Sequence, residues 1–323
     1  MVERGPPVTV RPHHPNRPLL AAGFMAIAAV IIGFTDNFVR LIAEDHGLWQ
    51  FHAVRSALAL PMMLAAAPVL GMRLRPRRWG GVIARSAVMS TSMVVYFGCL
   101  AFLSVAEVAA ALFTAPIFVL LISRFAFGQR FGVWRLIAVL LGFGGIVLML
   151  DPGAGAVRLV ALAPIGAAVL YAISNIATRE WCGGESAATL TLGFFAALGL
   201  WGLAGLALAA LVPHAVPVGA DGFILRGWTA PDAQFWEVSV MQAAGSLIGV
   251  GLMVRAYQTA EASQVAVFEY LLLIASAIWG RVLWGQTFGA PALIGMAAII
   301  AAGSIIALRS RFTPAGDGVR LPA

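Results

Sequence analysis

The chain has 323 residues, of which 61% are hydrophobic and only 11% are charged. A soluble domain carries about 25% charged residues, so this composition excludes an ordinary water-soluble globular protein and indicates that lipid is the solvent of the chain. The formal net charge is +7 and no lysine is present, but the arginines are scattered along the sequence rather than gathered on one face, which argues against a nucleic-acid-binding protein.

Ten apolar segments are long enough to cross a bilayer core of about 30 Å. The first five lie at 19–42, 48–70, 80–101, 104–123 and 133–150. The second five lie at 157–179, 187–212, 235–259, 261–283 and 289–308. The sequence therefore predicts an all-α polytopic membrane protein with ten transmembrane helices, in which 1–18 is a disordered N-terminus and 309–323 a tail.

The charges outside these spans differ between the two sides of the membrane. If the spans alternate in direction, one side collects most of the loop arginines, which are Arg4, Arg11, Arg17, Arg73, Arg75, Arg77, Arg78, Arg124, Arg130, Arg135, Arg309 and Arg311. The other side carries mainly acidic residues, and its long 213–234 loop contributes two of them. Because basic loops stay in the cytoplasm, we expect an inner (plasma) membrane protein with both termini cytoplasmic and the 213–234 loop outside.

An internal repeat joins the two sets of five spans. The segment beginning at Ala28 matches one beginning at Ala167, 139 positions later, and this alignment pairs Asp36 with Asn175. A second match pairs Gly128 with Gly285, 157 positions later, and the long loop at 213–234 accounts for the larger offset. Since five spans is an odd number, we expect 157–308 to be an inverted copy of 19–150, with a cavity near mid-membrane where the halves meet.

Two segments give the chain a resemblance to a known family. The run from Ala111 to Phe118 in span 4, and the glycine-containing segment 127–152, are similar to the repeat unit of the drug/metabolite transporter superfamily, in its EamA-type branch. The resemblance covers roughly 19–308. It implies a basket-shaped bundle around a central cavity and transport of small organic solutes such as amino acids, vitamins or nucleotide-like cofactors.

Two ionisable residues on consecutive spans lie at matching depth. At 1.5 Å of rise per residue, Asp36 lies about 9 Å and Arg55 about 10 Å below the outer surface. An ion pair between them would reduce the free-energy cost of burying both charges. Two interpretations remain open: the pair lines the outer half of the cavity and one member contacts a charged substrate, or the pair is a permanent structural one.

Glu269 lies about 12 Å from the cytoplasmic side, close to the midplane. A carboxyl at this depth is typical of a proton-coupling site or of a site for a substrate amine, and the alternative is a neutral acid that is hydrogen-bonded between helices. Asn175 would serve as the uncharged mirror of Asp36 in the second repeat. We therefore expect the substrate between spans 1, 2, 6 and 9.

These observations favour a secondary transporter that works by alternating access. There is no phosphate-binding loop that would indicate ATP hydrolysis, and we expect no cofactor, no metal site and no catalytic residue, with Cys99 and Cys182 as unpaired thiols. The alternative is an intramembrane enzyme or lipid-handling protein, but only His46 and His52 lie close together in sequence. The expected partners are a small-molecule substrate and membrane lipid; a proton or exchange substrate and a homodimer are left open.

Overall fold

The computed structural model describes residues 16–99, 111–128, 132–150, 162–212, 215–285, 287 and 289–311. Within these residues every regular element is helical, and ten helices correspond one to one with the ten predicted spans. They are α1 (Pro18–Ala43), α2 (Leu48–Val69), α3 (Trp79–Cys99), α4 (Ala115–Phe125), α5 (Val133–Leu150), α6 (Leu162–Glu180), α7 (Ala187–Leu211), α8 (Ala233–Thr259), α9 (Ala262–Trp284) and α10 (Ala290–Arg311).

Hydropathy identifies the bundle as a multi-pass membrane protein. Six of the described helices are long and apolar enough to cross a bilayer: α1, α2, α3, α7, α8 and α9. Shorter apolar stretches lie in α4, α5 and α10. The predicted disordered N-terminus and the tail fall almost entirely outside the described residues, but Asn16 and Arg17 are held against the α8–α9 turn by hydrogen bonds to Glu261 N and Thr259 O.

Two helices that the sequence predicts as continuous are interrupted. α1 consists of Pro18–Asp36 and Val39–Ala43, and the Asn37 side chain between them donates to Gly33 O at 2.7 Å, occupying the carbonyl that the next helical amide would have used. α9 consists of Ala262–Phe268 and Leu271–Trp284. At its break the amide of Glu269 donates to Ala266 O, three residues back, so the helix tightens locally into a 3₁₀ turn.

The most extensive helix contacts join an early helix to a late one. α1 packs on α8, α2 on α7, α3 on α6 and α5 on α10, while α1 and α6 also contact α9 and α4, respectively. Small residues allow this close approach, because Gly245 and Gly249 of α8 lie directly against Thr35 and Ile32 of α1. The bundle therefore interleaves its first five helices with its last five.

Both described ends of the chain lie on one side of the bundle. The Arg17 amide at the start of α1 donates to Thr259 O at the end of α8 at 3.0 Å. α5 and α10 are antiparallel, since Gly142 lies near Ala302 while Gly145 lies near Gly295, and this puts the end of α10 beside the start of α5. We call this side the terminal side and the other the opposite side.

Candidate functional site

Glu269 is a buried carboxyl at the break in α9, and its side chain is only 4% exposed. One carboxylate oxygen, Oε1, accepts hydrogen bonds from Tyr257 Oη at 2.8 Å, Tyr171 Oη at 2.9 Å and Asn175 Nδ2 at 3.3 Å. The donors come from α6 and α8, so three helices meet at this oxygen. An acid held in this way inside a membrane bundle can exchange a proton or bind an ammonium group.

A small cavity borders the carboxyl. It has a volume of about 40 Å³ and is lined by Glu269 together with residues of α1, α6, α8, α9 and the segment before α4, which are Met25, Ala29, Ile32, Leu112, Phe113, Tyr171, Met253 and Leu272. This is room for a few water molecules, whereas sites for organic ligands measure about 300–1,000 Å³. The bundle must therefore open before a metabolite can reach Glu269.

Asp36 lies at the break in α1 and is solvent-exposed, although it belongs to a helix that packs between α8 and α9. Gln242 Nε2 of α8 donates to Asp36 Oδ1 at 3.2 Å and to Thr35 O at 2.7 Å. The carboxylate also interacts electrostatically with Arg55 of α2 and Tyr96 of α3. The exposed Asp36 carboxylate therefore faces residues of three other helices, and we call this region the Asp36 vestibule.

Arg55 forms one wall of this vestibule and is 5% exposed. Its Nη2 lies 3.4 Å from Nδ1 of His52, one turn earlier on α2, and its guanidinium carbon lies 5.0 Å from the centre of the Phe51 ring. The Nε–H group has no hydrogen-bond partner among the described residues. No nitrogen of Arg55 comes within 4.0 Å of a carboxylate oxygen of Asp36, so the two charges interact without forming a direct ion pair.

The four residues selected from the sequence thus fall into two groups. Asp36 and Arg55 share the vestibule, whereas Asn175 joins Glu269 at the cavity and does not meet Asp36. Sequence reasoning missed the two tyrosines that bind Glu269. The spacing of Tyr171 and Asn175, four residues apart and therefore on one face of a helix, was the available signal on span 6.

Loop contacts join the helix ends on the terminal side of the bundle. Glu185, between α6 and α7, is 5% exposed, and its Oε1 accepts from the backbone amides of Arg77 and Arg78, both at 2.7 Å, just before α3 begins. Ser186 and Thr189 both donate to the carbonyl of Arg73. These bonds fix the α2–α3 loop onto the start of α7.

A second contact on the terminal side joins Arg135, at the start of α5, to Glu261, between α8 and α9, in a close ion pair. Arg135 Nη1 also donates to Ser263 Oγ at 3.0 Å. Together with the Glu185 contacts, this pair ties the loops and helix ends of the terminal side to one another.

On the opposite side the α7–α8 loop covers the ends of α1 and α2. Arg226 donates to the carbonyls of Ala43 and His46 at 3.3 and 3.2 Å, and Trp49 Nε1 donates to Ile224 O at 2.8 Å. Gln50 Nε2 donates to Thr229 O at 2.8 Å, and Thr229 N donates in return to Gln50 Oε1 at 3.0 Å. In its described part, the long polar loop predicted at 213–234 is therefore packed over the ends of α1 and α2.

The chain thus forms a multi-pass helical bundle with a buried carboxyl beside an internal cavity. Residues 19–151 match the EamA-like transporter family, which confirms the resemblance seen in the sequence. Together with the curated relatives, this match indicates that the protein is a small-molecule transporter.

Curated relatives match most of the chain. A riboflavin transporter of Brucella anthropi is 25% identical over 79% of this chain and 84% of its own length, and one of Vibrio cholerae is 23% identical over 89% and 92%. The pseudopaline exporter CntI of Pseudomonas aeruginosa is 24% identical over 88% and 95%. A solved crystal structure with 18% identity has a TM-score of 0.71 and covers 90% of this chain and 99% of its own, which shows a shared fold.

Proposed function

We propose that this protein is a secondary transporter that moves a small organic metabolite, such as an amino acid, vitamin or nucleotide-like cofactor, across the inner membrane by alternating access. The observation that carries the proposal is the Glu269 carboxyl, buried at a helix break and bordering a cavity inside the bundle. Ionisable groups at this depth are costly and mark substrate or ion pathways. Several of the relatives are named riboflavin transporters, so riboflavin is the first substrate to test.

The proposal includes an inverted repeat, and the helix contacts support it. Exchanging each of α1–α5 with its counterpart in α6–α10 turns the α1–α8 contact into the α6–α3 contact, and the α1–α9 contact into the α6–α4 contact. The α2–α7 and α5–α10 contacts are each converted into themselves. A pseudo-two-fold axis in the membrane plane predicts this set of pairings.

Individual residues support the same symmetry. Ser92 of α3 donates to Ala167 O of α6 at 2.7 Å. In the repeat alignment Ser92 corresponds to Gly249, 157 positions later, and Ala167 corresponds to Ala28, 139 positions earlier. A Cβ atom on Gly249 would lie 3.7 Å from Ala28 O, so the equivalent positions also meet. The matched glycines after α4 and α9, Gly128 and Gly285, both have left-handed φ values, 62° and 66°. A Cβ atom disfavours this conformation, so glycine is selected at both positions.

We place the terminal side in the cytoplasm because it carries Arg17, Arg73, Arg77, Arg78 and Arg135. The cover formed by the α7–α8 loop then faces outward, and so does the Asp36 vestibule. A reporter that works only in the cytoplasm is expected to be active when it is fused after Arg311. A signal from a reporter that works only in the periplasm would overturn this orientation.

Glu269→Gln tests the role of the carboxyl, because glutamine keeps its shape and loses its titration. The purified variant is reconstituted into proteoliposomes, and riboflavin and amino acids are supplied with and without an imposed pH gradient. If Glu269 couples transport to protons, gradient-driven accumulation is lost while exchange continues. If it binds a substrate amine, both activities fall together.

Glu237→Gln is the matched control, since this residue is an exposed glutamate on α8 and should transport like the wild type. Unchanged transport by Glu269→Gln would show that the carboxyl is only a hydrogen-bonded acid between helices. The competing function, an intramembrane enzyme or lipid-handling protein, predicts a covalently altered product or no flux of soluble metabolites in the same vesicles. No cluster of three or more metal-binding side chains occurs in the described part of the chain.

A further inference from the structure

Arg55 is a buried cation whose hydrogen-bonding capacity is mostly unused. Within the described residues its hydrogen-bond contact is to a ring nitrogen of His52 at 3.4 Å, and Nε has no partner there. Isolated buried charges are costly unless they are paired and hydrogen-bonded. A permanent structural arginine would be expected to bind either a carboxylate or several neutral acceptors.

The rest of the chain shows what a closed pair looks like. Arg135 and Glu261 are in direct contact, although both are more exposed than Arg55. Arg85, 1% exposed on α3, donates to Thr178 Oγ1 at 3.0 Å and to Leu190 O at 3.3 Å. Arg55 differs from both arginines, since among the described residues it has neither a carboxylate partner nor a set of oxygen acceptors.

Neighbouring groups hold the two charges apart. Gln242 Nε2 binds Asp36 and the carbonyl of Thr35 together, which fixes the carboxylate on the α1 side of the vestibule. His52 and the faces of Phe51 and Phe195 hold the guanidinium on the α2 side, with ring centres 5.0 and 5.9 Å from its carbon. His52 Nε2 and Gln242 Oε1, on the side chains that contact the two charges, also lack partners within the described residues.

The charges decide which ligand fits. A simple anion would satisfy Arg55 but would be repelled by Asp36, and a simple cation would have the reverse problem. A neutral molecule would leave both charges without a charged partner. A ligand with a carboxylate and an ammonium group satisfies both at once, with a hydrogen bond of about 2.9 Å at each end.

Resting on the proposed transport function, we propose that Asp36 and Arg55 are the two poles of a binding site for zwitterionic metabolites of the amino-acid type. The ligand carboxylate binds the Arg55 guanidinium and the ligand ammonium binds the Asp36 carboxylate. The Phe51 and Phe195 rings lie beside Arg55, so an apolar ligand side chain is accommodated better than a charged one.

Thermal unfolding of the purified protein in detergent tests the proposal with matched ligands. The probes are L-leucine, L-methionine and L-phenylalanine, their methyl esters, which lack the anion, and their N-acetyl forms, which lack the cation. At least one free amino acid is expected to raise the Tm and to bind at least about tenfold more tightly than either of its blocked forms, since each form loses a charge-assisted hydrogen bond.

Two variants locate the effect. Arg55→Gln and Asp36→Asn are each expected to abolish the Tm shift, whereas Arg40→Gln and Asp45→Asn, which alter a cation and an anion on the same side of the bundle, should retain it. If a variant fails to fold, the blocked ligands alone decide the question with the wild-type protein.

Equal binding of an amino acid and its N-acetyl form would overturn the zwitterion site and leave an anion site. A Tm shift with riboflavin and none with any of the amino acids would also overturn it, while leaving the proposed transport function intact. Loss of the proposed function would instead appear as the absence of flux for every metabolite in the vesicle assay.

Discussion

Removing one hydroxyl group, by Tyr257→Phe, measures how strongly the Glu269 network holds the bundle together. Tyr257 is 1% exposed and donates to Glu269 Oε1 at 2.8 Å, so no water replaces the lost bond. A hydrogen bond to a charged acceptor contributes about 1.5–3 kcal/mol and one to a neutral acceptor about 0.5–1.5 kcal/mol. The carboxyl keeps its bonds to Tyr171 and Asn175, so it is not orphaned, and the expected loss of stability is about 1–2 kcal/mol.

The chain offers a matched control in the next tyrosine along. Tyr270 is fully buried beside Glu269, but its hydroxyl has no hydrogen-bond partner among the described residues. Removing an unpaired buried hydroxyl is neutral or favourable, so Tyr270→Phe should change stability by less than about 0.5 kcal/mol or increase it.

The assay is reversible unfolding in mixed dodecylmaltoside and SDS micelles, followed by tryptophan fluorescence. Tyr257→Phe is then repeated in the Glu269→Gln background, where its cost should fall toward the neutral value of about 0.5–1.5 kcal/mol if the wild-type carboxyl is charged. Equal costs for Tyr257→Phe and Tyr270→Phe would refute the reasoning, because they would mean that contact with Oε1 contributes nothing.

Two further predictions concern packing and thiol chemistry. A methyl group on Gly202 of α7 would lie 2.5 Å from Ala53 N of α2, so Gly202→Ala should cost about 1–3 kcal/mol of stability. A methyl group on Gly23 of α1 would meet nothing within 4 Å, so Gly23→Ala should stabilise the protein by about 0.5–1 kcal/mol. If SDS titrations gave the opposite order of stabilities, they would contradict the α2–α7 contact. Burial raises the pKa of the Cys182 thiol, in the α6–α7 loop, to about 11, so at pH 8 its reaction with maleimide should be at least about 100-fold slower than that of the unfolded chain, and comparable rates would show that the loop opens freely.

The sequence predicted the membrane spans well because hydropathy and length are local properties. The predicted span 19–42 became Pro18–Ala43, and 48–70 became Leu48–Val69. The breaks in α1 and α9 were not predicted, since neither contains the glycine or proline that usually marks one. They depend on bonds such as that from Asn37 Nδ2 to Ser276 O at 3.1 Å, which exist only once the helices have packed.

For the candidate site, the sequence could predict only how far each residue lies below the membrane surface. Counting residues predicts that Asp36 and Arg55 lie at the same level, but the rise along a helix says nothing about sideways distance. The partners of Glu269 were missed for a related reason: Tyr171 and Tyr257 lie on separate spans, and their convergence depends on how three helices rotate about their axes.

The interleaved packing has a consequence for how the protein is made. α1, α2, α3 and α5 find their main partners in α8, α7, α6 and α10, and the amides that begin α3 are capped by Glu185, which is synthesised about a hundred residues later. The first five helices therefore enter the bilayer with their small-residue and polar faces uncovered and must be kept apart or shielded until the last five arrive. A nascent chain stalled after α5 should be recognised by quality-control proteases, and the two sets of helices made as separate polypeptides should each survive only when both are present.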